Sequence, residues 1–263
     1  DTSSSKIACV DPYGLQQFAM SLIFAHDRWG SDGDIDYEAD ALDILNVMRR
    51  KEEMNGGVID NVTNTFDAET QLAFDIPNTD HASITRPSAL MPAYYELWSI
   101  ATGDSFWSDA AEKARGFFSK AANPATGLMP LRAYFDSRPV SGSDTYGPEA
   151  CRVMINIVLD AIWLGTDPNG VPECERVLQF FQTQGVPGSQ YALDGDVIDK
   201  SPETSLVVVN GITAAVATEK VTGRKDFINA VWKGQTVMPS NRYYTGILQL
   251  FALLVLSGRM QVL

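Results

Sequence analysis

An all-α domain of stacked helix hairpins is the fold this sequence predicts, on three observations. Apolar residues recur at helical spacing in one long segment after another. Short loops of Gly, Pro and Asp separate those segments, and nothing in the composition marks a linker. No convincing sheet pattern lies between them, so helix must pack on helix, in a single domain over residues 1–263.

Residues 14–29 predict the first helix, with Phe18, Leu22, Ala25 and Trp29 on one stripe and Met20, Ile23 and Phe24 widening it; Gly30 ends it. Acids at Asp32, Asp34, Asp36 and Glu38 precede a second helix over residues 37–54. Their alternation resembles a calcium loop, but Tyr37 and Asp43 stand where an EF-hand requires Gly and Glu. The other reading is an Asp N-cap with acids in the first turn. Residues 58–75 are β-branched, aromatic and turn-forming, which predicts a short hairpin or an ordered loop. Residues 88–101 and 105–122 predict a helix hairpin across Thr102, Gly103 and Asp104. Further helices are predicted over 172–184, 204–222, 226–232 and 241–256.

Composition bounds the chemistry. Hydrophobic content of 45% is ample for a core. A net charge of −13 and a pI near 4.5 exclude nucleic acid and anionic membranes as natural partners, because phosphate binding needs clustered Lys and Arg. Three scattered cysteines, Cys9, Cys151 and Cys174, indicate neither a zinc site nor a disulfide framework, and Cys151 reads as a small core residue. No run of about 18 apolar residues predicts a membrane span. The opening DTSSSK reads as the start of a mature or a truncated product.

The stretch 144–165, DTYGPEACRVMINIVLDAIWLG, holds the strongest candidate for chemistry. Pro148 suits a first helical turn, and the residues beyond Arg152 are apolar in every direction, which predicts a buried helix. Glu149 and Arg152, three apart, are its only charges before Asp160. Glu149 is therefore either a cap paired with Arg152 or a working carboxylate. Aromatics at helix starts and in loops, Tyr146, Tyr243 and Tyr244 among them, are what a sugar groove needs, since sugar rings stack on flat apolar faces while hydroxyls take hydrogen bonds.

Four segments then carry a family resemblance: FAMSLIFAHDRWG with YEADA (18–30, 37–41), RPSALMPAYYELWSIATGDSFWSDAAEKAR (86–115), RVMINIVLDAIWLG (152–165) and NRYYTGILQLFALLVLSG (241–258). In order and spacing they resemble glycoside hydrolase family 8, in particular its xylanases and reducing-end xylose-releasing oligoxylanases. The resemblance implies an (α/α)6 barrel, incomplete at its N-terminal side, and inverting hydrolysis of a β-1,4-linked poly- or oligosaccharide. Two separated carboxyls would act in it, one as acid and one to activate water. It implies no cofactor, no metal and a secreted location.

Residue by residue, Glu149 falls on the position of the family's base, one methylene longer, with Arg152 on the arginine that accompanies it. Asp11-Pro12-Tyr13-Gly14 stands where the family has an Asp lining the catalytic subsite, which puts Tyr13, or Asp11, in that place. Pro87-Ser88-Ala89 replaces a Pro-Ser-Tyr and so lacks its hydroxyl. The acidic run at 31–34 follows its helix instead of starting it and is a decoy. The family's general acid lies on an earlier hairpin, upstream of these segments. The resemblance implies substrate contacts from Asp11, Tyr13, Tyr146, Arg152, Arg242, Tyr243 and Tyr244. Two expectations follow: a glycosidase whose own activity is in doubt, or a non-catalytic carbohydrate binder on the same scaffold. Helix faces left uncovered by absent hairpins predict self-association.

Overall fold

The computed structural model describes residues 11–81, 83–234 and 242–262. Among these the α-helices are α1 (Pro12–Trp29), α2 (Tyr37–Asn55), α3 (Pro92–Thr102), α4 (Ser105–Ala121), α5 (Val153–Trp163), α6 (Gly170–Gln182), α7 (Thr204–Thr213), α8 (Arg224–Lys233) and α9 (Tyr244–Leu256). Consecutive helices pair as hairpins, α1 with α2, α3 with α4, α5 with α6 and α7 with α8, while α9 packs on α7 and α8. Helices α3, α5 and α7 also touch in succession, which makes them the inner wall, with α4 and α6 outside.

Local chemistry sets the boundaries. Asp36 and Asp104 accept backbone N–H bonds and cap α2 and α4. This gives Asp36 the capping role, not a ligand role. Pro92 opens α3, and Gly103, at φ 66°, closes it in the left-handed conformation that glycine adopts without penalty. The C-terminal carbonyls after α7 are satisfied by Arg224, whose guanidinium donates to Ala214 O at 2.8 Å and Ala215 O at 3.2 Å. That cap ends the helix well short of the predicted 222.

An aromatic knot binds the first hairpins. Phe66 packs edge-on against Tyr95 and Trp107, and Trp107 against Trp98, with ring centroids 5.0–5.4 Å apart. Between α3, α4 and α5 lies an ion network: Arg115 donates twice to Asp160 (2.9 and 2.7 Å) and once to Glu96 (2.7 Å). Burial alone would lower the Arg115 pKa, but the bonds to Asp160 and Glu96 outweigh it and hold the guanidinium charged.

Three expectations need correction. The stripe assigned to α1 is rotated, because Phe18 and Trp29 are 56% and 72% exposed while Ala19, Met20, Leu22 and Ala25 face inward. Gln16, fully buried, sets that rotation by donating to Pro12 O and Ala89 O and accepting from the Tyr95 hydroxyl. The segment before α5 is not helical from Pro148: residues 145–146 form a strand, and Ala150–Arg152 a 3-10 turn. Finally, sheet is present. Strands β1 (Ile84–Thr85) and β2 (Ala133–Tyr134) pair, and β3 (Thr145–Tyr146), β4 (Gly188–Ala192) and β5 (Val197–Pro202) form an antiparallel sheet in that order. Residues 58–75 are an ordered loop with isolated bridges, Phe66 to Ala73 among them. No described helix is long and apolar enough to cross a membrane.

Candidate active site

The first turns of the inner helices are tied to one another by side chains. Arg152, just before α5, lays its guanidinium over the Tyr13 ring of α1, 4.6 Å from the centroid. Asn156 of α5 donates to Ser88 O and Leu90 O, both at 2.9 Å, fixing the turn that leads into α3. Tyr244, at the start of α9, donates its hydroxyl to Pro148 O, and the Cys151 thiol donates to the same carbonyl at 3.2 Å. Glu203 caps α7 through Ser205, and its charge is felt at Cys151.

Four carboxylates belong to this face, and they differ in what they hold. Asp11 caps α1 through the Tyr13 N–H and accepts from Arg86 at 3.0 Å. Arg86 continues to Asp75 (2.5 Å), and Asp75, side chain 7% exposed, takes Arg132 on its other oxygen (2.5 Å). Glu203 is engaged with Ser205. Glu149 alone of the four makes no side-chain hydrogen bond or ion pair among the described residues. It is exposed, with φ −86° and ψ −42° at the head of the 3-10 turn.

The expected Glu149–Arg152 pair therefore does not form. Arg152 donates Nε to the Glu149 carbonyl at 3.2 Å and spends its guanidinium face on Tyr13. The turn that carries both residues is held from three sides: by Tyr244, by Cys151 and by close approach of β4. A Cβ at Gly147 would come within 2.9 Å of Ser189 O, so glycine is required there by space. Burial pushes the Tyr244 phenol well above its usual pKa, with further upward pressure from Cys151, Tyr13 and Glu149 against a downward pull from Arg152. It stays a neutral donor.

Tyr146 was expected on a cleft wall and is instead in the core. It is fully buried, pairs with Tyr191 across β3 and β4, and packs on Phe181. Tyr243, 83% exposed, and Arg242, also exposed, lie at the start of α9. Gln16, Asp75, Asn156 and Glu203 were not singled out in the sequence. Asn156 had a signal, a lone amide inside an apolar run. Among the described residues no group of three or more His, Cys, Asp or Glu could hold a metal ion.

Residues 11–258, nearly the whole described chain, match the family described as Glycosyl hydrolases family 8. The chain belongs to this family. Its family 8 relatives include a reducing end xylose-releasing exo-oligoxylanase of Halalkalibacterium halodurans, 28% identical over 95% of this chain and 65% of the relative. A second, from Bifidobacterium adolescentis, is 30% identical over 94% of this chain and 67% of the relative. A family 8 xylobiose complex from Teredinibacter turnerae superposes with a TM-score of 0.87 at 32% identity, covering 95% of this chain and 67% of that structure. The fold is that of the family's (α/α)6 barrels. The chain spans about two thirds of the length of these relatives, and its nine described α-helices fall short of the twelve in six hairpins.

Proposed function

We propose that this chain carries the substrate face and the base of a secreted family 8 hydrolase that cleaves β-1,4-linked xylan or xylo-oligosaccharides with inversion. Glu149 is the base. One observation carries this reading: of the four carboxylates Asp11, Asp75, Glu203 and Glu149, Glu149 is the one whose side chain makes no hydrogen bond or ion pair among the described residues. An inverting base has to be ionised when it acts and free to take a proton from water. Arg152, stacked on Tyr13, offers its guanidinium plane to a sugar ring, and Tyr243 offers an exposed aromatic ring. Arg242 and Asp11 supply polar contacts at the edges. Arg152 and Tyr244 position the turn. Relatives named as exo-oligoxylanases, and a neighbour in complex with xylobiose, support xylo-oligosaccharide as the substrate class.

A non-catalytic carbohydrate-binding role is the second reading, and the Tyr13–Arg152 stack favours it. Tyr13 sits where the family carries a subsite carboxylate, and Ala89 where it carries a tyrosine, so this polypeptide alone has weak activity or none. Incubation of xylohexaose with the chain joined to the family segment that carries the general acid, read by NMR of the anomeric protons, separates the two. Release of an α-anomer supports the hydrolase, binding without cleavage supports the binder, and neither event removes both. Self-association belongs to the same proposal, because Phe18 on α1 and Ile247 and Leu250 on α9 leave large apolar groups in solvent. Sedimentation showing a monomer at all concentrations would remove that part.

A further inference from the structure

Three Asn-Gly steps occur in the sequence: Asn55–Gly56, Asn169–Gly170 and Asn210–Gly211. At such a step the glycine's backbone nitrogen can attack the asparagine side-chain amide, because no Cβ stands in the way of the five-membered ring that forms. The fold holds the three steps differently. Asn210 is 1% exposed inside α7, where the Gly211 N–H is an interior helical donor. Asn55 is exposed, but it is the last residue of α2, and the carbonyls of Glu52 and Glu53 hold the Gly56 N–H in the helix C-cap. At both steps the attacking nitrogen has to leave a hydrogen bond before a ring can close. Asn169 is different. It is the N-cap of α6, yet its exposed side chain makes no hydrogen bond among the described residues. Gly170 is the first residue of that helix, so its N–H has no intrahelical acceptor, and it meets no other among the described residues. Turning the peptide to close the ring gives up one bond, from Glu173 N–H to Asn169 O at 2.9 Å.

We propose that Asn169 is a site of spontaneous deamidation in the native protein, and that the fold protects Asn55 and Asn210 from the same reaction. The Gly170 nitrogen gives its proton to solvent base and bonds to Asn169 Cγ, and the side-chain nitrogen leaves as ammonia. Water then opens the resulting succinimide at either carbonyl. The products at position 169 are aspartate and isoaspartate, and each brings one further negative charge to the start of α6. The isoaspartyl product also lengthens the backbone by a methylene. It does so where the chain has little room, since a Cβ at Gly170 would already lie 3.3 Å from Ile157 Cγ2 of α5.

The whole chain is incubated at alkaline pH, once folded and once in denaturant, and the three Asn-Gly peptides are followed by mass spectrometry. In denaturant the three steps should convert at similar rates, because each then has the same glycine next to it and no fold around it. In the folded chain Asn169 should convert faster than Asn55 and Asn210 by a factor on the order of ten or more, giving two products of equal mass that separate by chromatography. Ion exchange of the folded chain should show a more acidic species growing at the same rate, and Asn169→Gln, whose longer side chain disfavours the ring, should not form it. Equal rates at the three steps in the folded chain, or Asn55 or Asn210 ahead of Asn169, would overturn the proposal. So would an Asn169 that converts only in denaturant, or an acidic species that grows at the native rate in Asn169→Gln.

Discussion

Helix α5 has a carboxylate near each end, and the protein treats them in opposite ways. Asp160, in the last turn, is 2% exposed and sits at the helix end where the dipole disfavours an anion. It is held there by the fork of Arg115, which also takes Glu96 and so joins three helices. Glu149, ahead of the first turn, is exposed, lies at the end that favours an anion, and has no side-chain partner among the described residues. The comparison separates a carboxylate that the fold depends on from one that it can do without. A residue that contributes no contact to stability and still occupies the favourable end of a buried helix is placed for something outside the fold.

The sharpest way to break this contrast is at Asp160. Asp160→Ala removes two of the three bonds to the Arg115 guanidinium and leaves it to Glu96 alone, and the expected cost is about 1.5–3 kcal/mol in chemical denaturation. A loss below about 1 kcal/mol would mean that the network is solvated and that α5 is not pinned from its C-terminal end. Next is Asn156→Ala, which leaves the carbonyls of Ser88 and Leu90 without their donor and should cost about 1–3 kcal/mol. Because that turn leads to the site face, the variant should also weaken xylohexaose binding, read by calorimetry. Tyr244→Phe removes one of two donors to Pro148 O, with an expected loss of about 1 kcal/mol that Cys151 partly offsets. At the small end, Tyr146→Phe deletes a buried hydroxyl that has no partner, so its melting temperature should stay level or rise. A clear fall in that melt would reveal a partner for the Tyr146 hydroxyl.

How much of this could be read in the sequence depends on the range over which each feature is decided. The hairpins were legible, since Asp36, Pro92, Gly103 and Asp104 write helix ends into the chain within a turn of where they act. The sheet of β3, β4 and β5 was not. Its outer strand is largely exposed and charged, without the alternation that marks a buried face, and its register joins Tyr146 to Tyr191 across distant sequence. That pairing is also why Tyr146 went to the core and not to a cleft. Glu149 was legible as a candidate because a lone acid before a long apolar run is unusual. Its freedom from Arg152 was not, because the competing partner, Tyr13, arrives from α1 and no local pattern foretells the stack. Gln16 settled the rotation of α1 in the same nonlocal way, through Tyr95.

The measurement that bears most directly on Glu149 is a paired one on Glu149→Gln, which keeps the shape and removes the charge. Melting temperature and xylohexaose hydrolysis are followed together, in the chain as it stands and joined to the family segment that carries the general acid. The account predicts a melt indistinguishable from the native protein and a fall in hydrolysis on the order of 10²–10⁴-fold in the joined form. Hydrolysis that continues at the native rate would contradict it and pass the base to Asp11 or Asp144.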